Sequence, residues 1–343
     1  MRIAHLLFTK RFAGSERYAI ELANAQAADH EVFFLLAQAA AEDRADAWAS
    51  RLDPRVQQVR LVLPTLAPGW RVARWASRVQ PDVMHAHLSF ACKSLARAHA
   101  ARARVATLHI AYKARQHRHL DGLIAITPSQ LAQVPADYAG RVRQISNWSA
   151  PRAPAPGARE RLRAAWGIGP DELLIGTLGR GERSKGWDVL VEAFRAARLP
   201  RARLVLVGEG PQWQSVRDLA PPEVVMPGFT NEPENCLSAF DGFVSAARSE
   251  PFGLVFLEAL HAGLPVIATA TEGATFLRDH FDAVVPNGDT AALAGALSQL
   301  AERHARGEAL RRTHDLAPFS RQARVAEIEA FYRECLGEVP AAR

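Results

Sequence analysis

Cysteine is scarce in this chain of 343 residues, which contains three, namely Cys92, Cys236 and Cys335. They lie far apart and are odd in number, so they indicate neither a disulfide framework nor the short ligand spacing of a zinc site. A chain without paired thiols is typical of a reducing compartment. We therefore expect a cytoplasmic protein.

Long apolar runs are also missing. No segment approaches the roughly 20 consecutive apolar residues of a transmembrane helix. Residues 1–9 combine one early arginine with a short apolar stretch and lack a small-residue cleavage site. This pattern predicts a buried first strand rather than a signal peptide. With 48% hydrophobic and 23% charged residues, the chain has the composition of a globular protein.

Acidic residues are absent between Asp82 and Asp121, although that stretch is rich in basic ones. Its lysines and arginines are Lys93, Arg97, Arg102, Arg104, Lys113, Arg115 and Arg118. Residues 1–150 carry 20 Lys+Arg against 11 Asp+Glu, a net charge of +9. Residues 151–343 carry 22 Lys+Arg against 25 Asp+Glu, a net charge of −3, and the two add up to the +6 of the whole chain. A field of one sign favours an anionic partner: a membrane surface, a phosphorylated acceptor or nucleic acid. The alternative is a solvated basic face with no partner.

Short apolar runs alternate with helical patterns along the chain, which predicts parallel sheets with crossover helices. The predicted strands are 2–9, 31–36, 58–63, 82–85, 104–109, 122–126 and 141–145, then 173–178, 203–207, 224–226, 242–245, 265–268 and 283–285. Three prolines and a glycine within 149–157 interrupt the alternation and predict a linker. We therefore expect two doubly wound, Rossmann-like α/β domains. Ligands of such sheets bind at the carboxyl ends of the strands, and domain interfaces often hold small molecules, so we expect the domains to face a cleft.

The segment 249–268 carries the strongest chemical signal. Glu250 and Glu258 flank a Pro-Phe-Gly turn that opens a helix. Gly253 permits a ligand to approach the backbone closely. The helix N–H groups from Gly253 to Val255 lack intrahelical acceptors and, with the helix dipole, suit a phosphate. A capped helix with chance acidic residues is the alternative.

This segment resembles the Glu-x7-Glu signature of the family-4 retaining glycosyltransferases, which have the GT-B fold. The resemblance implies that Glu250 contacts the sugar of a nucleotide-sugar donor and that Glu258 contacts the ribose. It also implies an acceptor-binding domain at 1–149, a nucleotide-sugar-binding domain at 150–318 and a final helix at 319–343 that crosses back to the first domain. The likeness covers nearly the whole chain and is stronger in the second domain.

A second motif, Gly179-Arg180 followed by Lys185-Gly186, joins a strand to a helix. Arginine offers a rigid fork and lysine a compact charge, a combination suited to a diphosphate, although basic residues are also common on surfaces. The resemblance implies that Arg180 and Lys185 neutralise the leaving nucleoside diphosphate. Stabilising the charge that develops there would lower the barrier.

Three further loops complete the predicted donor site. Gly208 belongs to a Gly-x-Gly-Pro turn, and the turn at Phe229 is where the family holds the base. The residues 271–275 offer backbone N–H groups to a phosphate or a sugar hydroxyl, but the family's usual Gly-Gly pair is replaced here by Glu272-Gly273. The complete predicted set of donor-binding residues is Gly14, Gly179, Arg180, Lys185, Gly208, Phe229, Glu250, Phe252, Gly253, Leu254, Val255 and Glu258.

In the first domain, Gly14 and Ser15 lie between the first strand and the first helix and resemble the family's glycine loop. A lone Gly-Ser pair at this position is more often a helix N-cap. His109 ends a strand and resembles the family histidine that points at the donor sugar, whereas His85 and His87 are candidates for core residues. The predicted catalytic residues are His109, Glu250, Arg180 and Lys185. The predicted acceptor contacts are Ser15, Lys113, Arg115 and Arg118.

These features predict a retaining transferase that moves a hexose or N-acetylhexosamine from a nucleoside-diphosphate sugar, UDP-sugar before GDP-mannose, to a saccharide acceptor. The expected pathway is lipopolysaccharide or other cell-surface polysaccharide biosynthesis, with a lipid-linked saccharide at the inner face of the cytoplasmic membrane as the acceptor. There is no Asp-x-Asp motif, and we expect no obligatory metal, no cofactor beyond the nucleotide-sugar co-substrate and no nucleic-acid partner. The rival hypotheses are a nucleotide-sugar epimerase or a phosphorylase of the same fold, and a non-catalytic sugar-nucleotide-binding protein.

Overall fold

The structure is a computed structural model that describes residues 1–10, 12–42, 47–62 and 68–338. The chain divides into two compact units. The N-terminal unit is Met1–Asn147 with Arg321–Arg343, and the C-terminal unit is Trp148–Ser320. Leu63, the last residue of the predicted third strand, and residues 339–343 of the predicted final helix lie outside the described residues.

The N-terminal unit is a parallel sheet covered by helices on both faces. Its described strands are β1 (Arg2–Leu7), β2 (Glu31–Ala37), β3 (Gln57–Leu61), β4 (Val83–His87), β5 (Ala103–Leu108), β6 (Gly122–Ala125) and β7 (Arg141–Gln144). The α-helices between them are α1 (Gly14–Gln26), α2 (Pro68–Val79), α3 (Leu88–Ser94), α4 (Ala114–His117) and α5 (Pro128–Ala132). The order β3-β2-β1-β4-β5-β6-β7 reverses between β1 and β4. A crevice for ligands opens at the carboxyl edge of a parallel sheet where its order reverses.

The C-terminal unit repeats this architecture. Its strands are β8 (Leu173–Leu178), β9 (Ala202–Val207), β10 (Val224–Gly228), β11 (Gly242–Ser245), β12 (Val266–Thr269) and β13 (Ala283–Val285). Its α-helices are α6 (Ala158–Ala165), α7 (Trp187–Ala197), α8 (Trp213–Leu219), α9 (Pro233–Ala239), α10 (Leu254–His261), α11 (Glu272–Phe276) and α12 (Thr290–Ala305). The order β10-β9-β8-β11-β12-β13 reverses between β8 and β11.

The last helix, α13 (Arg321–Cys335), belongs to the N-terminal unit. The Tyr332 hydroxyl lies 2.6 Å from Nδ1 of His85 in β4. Glu334, which is 5% exposed, forms an ion pair of 2.7 Å with Arg143 in β7. A long-range hydrogen bond and a buried charge pair therefore hold the C-terminal helix on the first sheet.

The thirteen strands predicted from the sequence are all present within the described residues, and their ends differ from the prediction by at most two residues. β4 extends beyond the predicted end at His85 because Ala86 and His87 pair with β5. The interior strands are buried along their length, as β4 shows, because helices cover both faces of such a sheet. The prediction of two Rossmann-like α/β domains is thus confirmed. Within the described part of the chain, none of the helices has the length and apolar character needed to cross a bilayer.

Candidate functional site at the carboxyl edges of the sheets

The segment singled out in the sequence forms the loop after β11 and the start of α10. Gly253 precedes the helix with a φ of 80°, a left-handed conformation that glycine adopts without strain. A Cβ there would lie 2.4 Å from the Phe256 ring and 3.0 Å from Cγ of Glu250. The N–H groups of Leu254 and Val255, in the first turn of the helix, have no intrahelical acceptor. This helix end can therefore receive an anionic group.

Phe252 contributes to this turn from the inside. Its side chain is 2% exposed, and its ring lies 6.0 Å from that of Phe276. Only its backbone can therefore take part in donor binding.

The tertiary structure brings together two predicted site residues from different loops. Nζ of Lys185, in the loop after β8, lies 2.5 Å from Oε2 of Glu250, in the loop after β11. The side chains are 28% and 14% exposed. β8 and β11 are neighbours at the point where the strand order reverses, so their following loops meet there.

Arg180 has different surroundings from Lys185. Its side chain is 60% exposed, and the carboxylate of Glu182 lies 4.0 Å away. Such a weakly held exposed pair contributes little to stability. The guanidinium is therefore available to an incoming anion, whereas the ammonium of Lys185 is already engaged by Glu250.

Glycines let the ends of β8 and β9 approach each other. Gly208 has a φ of 136°, and a Cβ there would lie 1.8 Å from the carbonyl oxygen of Gly179. No larger residue fits at Gly208, so the turn has a packing role whatever it binds. Phe229, in the turn after β10, is 68% exposed. An exposed ring beside these turns could stack on a planar base.

Glu258 lies one helical turn beyond Val255, in α10, and is half-buried. It lines a cavity of about 250 Å³ together with His261, Arg152 and Arg311. Nε2 of His261 is 3.1 Å from the carbonyl oxygen of Ser149. Of the two glutamates of the motif, Glu250 therefore lies in the loop before α10 and Glu258 lies in the second turn of that helix.

The interpretation of residues 271–275 as a loop of free N–H groups is wrong for four of them. The Thr271 N–H donates to the carbonyl of Thr269 at 2.8 Å. The Gly273 N–H donates to the carbonyl of Glu250 at 3.0 Å, and the Thr275 N–H donates to the carbonyl of Thr271. The Ala274 N–H donates to the Thr271 hydroxyl. The bonds of Ala274 and Thr275 belong to the helix α11 and its N-cap Thr271. The bond of Gly273 joins that helix to the Glu250 turn.

In the N-terminal unit, the alternative that Gly14 and Ser15 form a helix N-cap is also wrong. The capping residue of α1 is Ala13, which makes no side-chain capping bond, and the helix begins at Gly14. The Ser15 hydroxyl donates instead to Oε2 of Glu16 at 3.1 Å. Gly14 is exposed, so the start of α1 is open to solvent.

His109 follows β5 at the carboxyl edge of the first sheet. Its Nε2 lies 3.1 Å from Nδ1 of His87, and its ring meets the Tyr18 ring edge-on at 5.0 Å. Burial lowers the pKa of His109 to about 4, so the imidazole is neutral near pH 7 and one of its nitrogens is an acceptor.

His85 and His87 are core residues, as the sequence had suggested, and both are fully buried. Sequence reasoning missed His5 in β1 and Gln26 at the end of α1, which join the same hydrogen-bonded group. The available signal was a lone histidine inside the apolar strand Ile3–Leu7.

The basic stretch of the N-terminal unit is partly neutralised. Arg104 forms a bidentate pair with Asp121, with contacts of 2.9 and 3.0 Å. Arg102 contacts both Asp82 and Glu338. Asp82 and Asp121, the acids at the two ends of the acid-free stretch, therefore form ion pairs with arginines inside it.

The three predicted basic acceptor contacts, Lys113, Arg115 and Arg118, lie in and beside α4 and are exposed. Within the described residues, none of their side chains forms an ion pair. They are therefore free to meet an anionic partner.

Comparisons with known proteins agree with this fold. The family model described as Glycosyltransferase Family 4 matches residues 12–175, and the one described as Glycosyl transferases group 1 matches residues 172–303. The chain is a glycosyltransferase with the GT-B fold.

Individual relatives extend over nearly the whole chain. The lipopolysaccharide core biosynthesis glycosyltransferase LpsD of Rhizobium meliloti (strain 1021) is 27% identical over 333 residues, covering 90% of this chain and 91% of LpsD. Among solved structures, Anabaena HepE in complex with UDP and glucose has a TM-score of 0.76 and 20% identity, covering 99% of this chain and 100% of that one. WaaG, a glycosyltransferase involved in lipopolysaccharide biosynthesis, has a TM-score of 0.69 and 18% identity, with coverages of 99% and 100%.

Proposed function

We propose that this protein is a retaining family-4 glycosyltransferase that transfers a hexose or N-acetylhexosamine from a UDP-sugar, or secondarily GDP-mannose, to a saccharide acceptor. The observation that carries the proposal is the placement of Glu250, Lys185 and the start of α10 at one point of the carboxyl edge. The likeness to a UDP and glucose complex supports the choice of donor. The likeness to LpsD supports a role in lipopolysaccharide or other cell-surface polysaccharide biosynthesis.

In this proposal the C-terminal unit holds the donor. The N–H groups of Leu254 and Val255 bind the diphosphate at the start of α10, where the helix dipole favours negative charge. Glu250 accepts hydrogen bonds from sugar hydroxyls, and Glu258 accepts them from the ribose diol. Phe229 lies beside the base. In the N-terminal unit, His109 contacts the sugar and Gly14 contacts the donor through its backbone.

Arg180 and Lys185 act on the leaving group. As the glycosidic bond breaks, negative charge grows on the β-phosphate, and fixed cations stabilise that state more than the ground state. Glu250 holds Lys185 through an ion pair of 2.5 Å, so the ammonium is oriented before the donor arrives. We assign Glu250 to sugar binding rather than to nucleophilic attack, and the acceptor attacks from the face that the leaving group vacates, which retains the anomeric configuration.

The donor assignment is tested by a thermal-shift screen of UDP-, GDP- and ADP-sugars, with and without EDTA. A ligand that binds only the folded state at 100 times its Kd stabilises the protein by about 2.7 kcal/mol. We expect the largest rise in Tm with a UDP-sugar. The rise should be the same in EDTA, because Arg180 and Lys185 neutralise the diphosphate in place of a metal ion. A response to none of the three nucleotides would contradict the proposal. The anomeric proton coupling of the product, measured by NMR, tests retention.

The acceptor is proposed to be a lipid-linked saccharide at an anionic membrane surface. The supporting surface is basic and aromatic: Trp70 and Phe90 are 63% and 43% exposed, and the Arg97 guanidinium lies 4.8 Å from the Trp70 ring. Exposed aromatic side chains among cations are typical of interfacial binding to anionic lipids. Ser15, Lys113, Arg115 and Arg118 are proposed to contact the acceptor.

Vesicle co-sedimentation tests this surface. We expect binding to rise with the fraction of anionic lipid, to weaken with salt, and to fall in Trp70→Ala. Leu219, exposed at 57% in the C-terminal unit, supplies the control Leu219→Ala, which should bind like the unsubstituted protein. Equal binding to neutral and anionic vesicles at moderate salt would refute the membrane proposal and leave the donor assignment intact.

A further inference from the structure

Four polar side chains form a continuous hydrogen-bonded line within the N-terminal unit. Oε1 of Gln26 lies 2.9 Å from Nε2 of His5, and Nδ1 of His5 lies 3.2 Å from Nε2 of His87. Nδ1 of His87 then lies 3.1 Å from Nε2 of His109. We call these residues the histidine chain. It runs from the end of α1 through β1 and β4 to the residue that follows β5.

The chain is closed at one end and open at the other. Gln26, His5 and His87 are each 0% exposed, whereas His109 is only partly buried. Within the described residues, Nδ1 of His109 has no hydrogen-bond partner. The line therefore begins at a buried amide and ends at a ring nitrogen on the carboxyl edge.

His85 lies next to the chain without belonging to it. Its ring stacks on His87 with 4.4 Å between centroids. Its two nitrogens are taken by the Tyr332 hydroxyl at 2.6 Å and the Thr107 hydroxyl at 2.8 Å. Because both nitrogens are occupied, His85 provides no branch through which the order of protons in the chain could change.

The histidines of the chain are neutral near pH 7. Burial lowers the pKa of His5 and of His109 to about 4 and that of His87 well below its ordinary value. A neutral imidazole has one N–H donor and one bare acceptor nitrogen. In a hydrogen-bonded line of such rings, whether the group at one end donates or accepts determines the tautomer of every ring.

The amide oxygen of Gln26 can only accept, so His5 carries its proton on Nε2 and leaves Nδ1 bare. Nε2 of His87 then donates to Nδ1 of His5, and Nε2 of His109 donates to Nδ1 of His87. The last nitrogen in the series, Nδ1 of His109, is left as an acceptor.

We infer that Gln26, His5 and His87 are positioning residues that hold His109 as its Nε2–H tautomer, so that Nδ1 accepts a hydrogen bond from a hydroxyl group of the donor sugar. The identity of that ligand rests on the proposed function. The tautomer itself is a property of the unliganded protein and can be measured without any substrate.

Nitrogen-15 NMR of the protein labelled at histidine tests the inference directly, because the two ring nitrogens of each tautomer differ in chemical shift. In the unsubstituted protein we expect His5, His87 and His109 as neutral Nε2–H tautomers. Gln26→Met removes the terminal acceptor, and we expect the signals of His109 to move toward the Nδ1–H form. An Nδ1–H tautomer of His109 in the unsubstituted protein, or signals unmoved by Gln26→Met, would overturn the inference.

Gln130 supplies a matched control, because it is also a fully buried glutamine of the N-terminal unit and its Oε1 accepts from the Ile126 N–H. Gln130→Met should leave the His109 tautomer unchanged. With the donor that the ligand screen identifies, Gln26→Met should lower kcat/KM about 2- to 10-fold, which corresponds to the loss of one neutral hydrogen bond between His109 and the sugar. Gln130→Met should leave kcat/KM unchanged. An equal loss in both variants would indicate a merely structural role. Absence of transfer by the unsubstituted protein with every nucleotide sugar would refute the proposed function and leave the tautomer result standing.

The histidine cluster also admits a metal as a competing occupant, since ring nitrogens of His5, His85 and His87 lie within 4.8 Å of one another. A metal would replace the proton between His5 and His87. Elemental analysis of the purified protein should find less than stoichiometric zinc, copper, nickel and iron. One bound metal per chain that is lost in His5→Gln would overturn the hydrogen-bonded chain.

Discussion

Replacement of Lys185 by methionine should separate the catalytic role of its charge from the packing of its stem. Methionine keeps an unbranched apolar side chain of similar length and removes the ammonium that lies 2.5 Å from Oε2 of Glu250. Removing one preorganised charge from a developing anion costs about 2.7–4 kcal/mol, or a 100- to 1000-fold loss in kcat. We expect a loss of this size, accompanied by weaker donor binding.

The same substitution should have a smaller effect on stability. Glu250 retains 14% exposure of its side chain, so its carboxylate stays partly hydrated when its partner is lost. For a pair of this kind, between an exposed and a buried ion pair, we expect a decrease of about 1 kcal/mol in the free energy of unfolding. Glu250→Gln in the Lys185→Met background should recover part of that loss without restoring turnover.

The assay combines steady-state kinetics with the identified donor and urea denaturation of the same samples. Arg183→Met is the matched control, because Arg183 is an exposed cation two residues away in the same loop. It should keep kcat within about threefold, since screening weakens the effect of an exposed charge. A kcat for Lys185→Met within twofold of the unsubstituted value, or an equal fall in Arg183→Met, would refute the leaving-group role of Lys185.

Two further predictions concern stability. Gly273→Ala should lower the free energy of unfolding by about 1–3 kcal/mol, because the new Cβ would lie 2.1 Å from the carbonyl oxygen of Phe252. Gly295→Ala, the control, should raise it by about 0.5–1 kcal/mol, because Gly295 is in the interior of α12 with nothing within 4 Å of its Cβ position. If urea melts showed Gly273→Ala to be stabilising and Gly295→Ala to be destabilising, the packing of the Glu250 turn would be contradicted. Acidification should destabilise the protein between pH 6.5 and about 4, because the unfolded chain takes up protons there that His5 and His109, with pKa values of about 4, exclude. The loss in the free energy of unfolding is about 2.5 kcal/mol for each group near pH 4.5. A urea midpoint that is constant over this range would show that these histidines are not buried as neutral groups.

Local signals in the sequence account for most of the fold. The strands were predictable because a strand buried on both faces is a short apolar run between turn residues. Gly253 was predictable as the residue before α10 because a Pro-Phe-Gly turn ahead of an apolar helical pattern is a helix start. The bond from the Gly273 N–H to the Glu250 carbonyl was missed because the two residues are distant in sequence, whereas the N-cap at Thr271 is a local pattern.

The extent of the basic surface could not be predicted either. Counting charges along residues 83–120 treats Arg102 and Arg104 like Arg115, but the first two pair with Asp82 and Asp121. These acids flank the stretch, and parallel strand pairing places their carboxylates beside the arginines. A charge count therefore overstated the field. Within the described residues, the basic side chains of the stretch that are exposed and form no ion pair are Lys93, Arg97, Lys113, Arg115 and Arg118.

The sequence by itself determined the alternation of strands and helices, the two units and the residues placed at the ends of the second unit's strands, because these features are encoded over a few consecutive positions. Only the tertiary structure decided which of those residues meet. Lys185 reaches Glu250 across 65 positions because β8 and β11 are neighbours, and His5 joins His87 because β1 lies beside β4. Strand order is set by the packing of the whole sheet, and no local pattern in the chain records it.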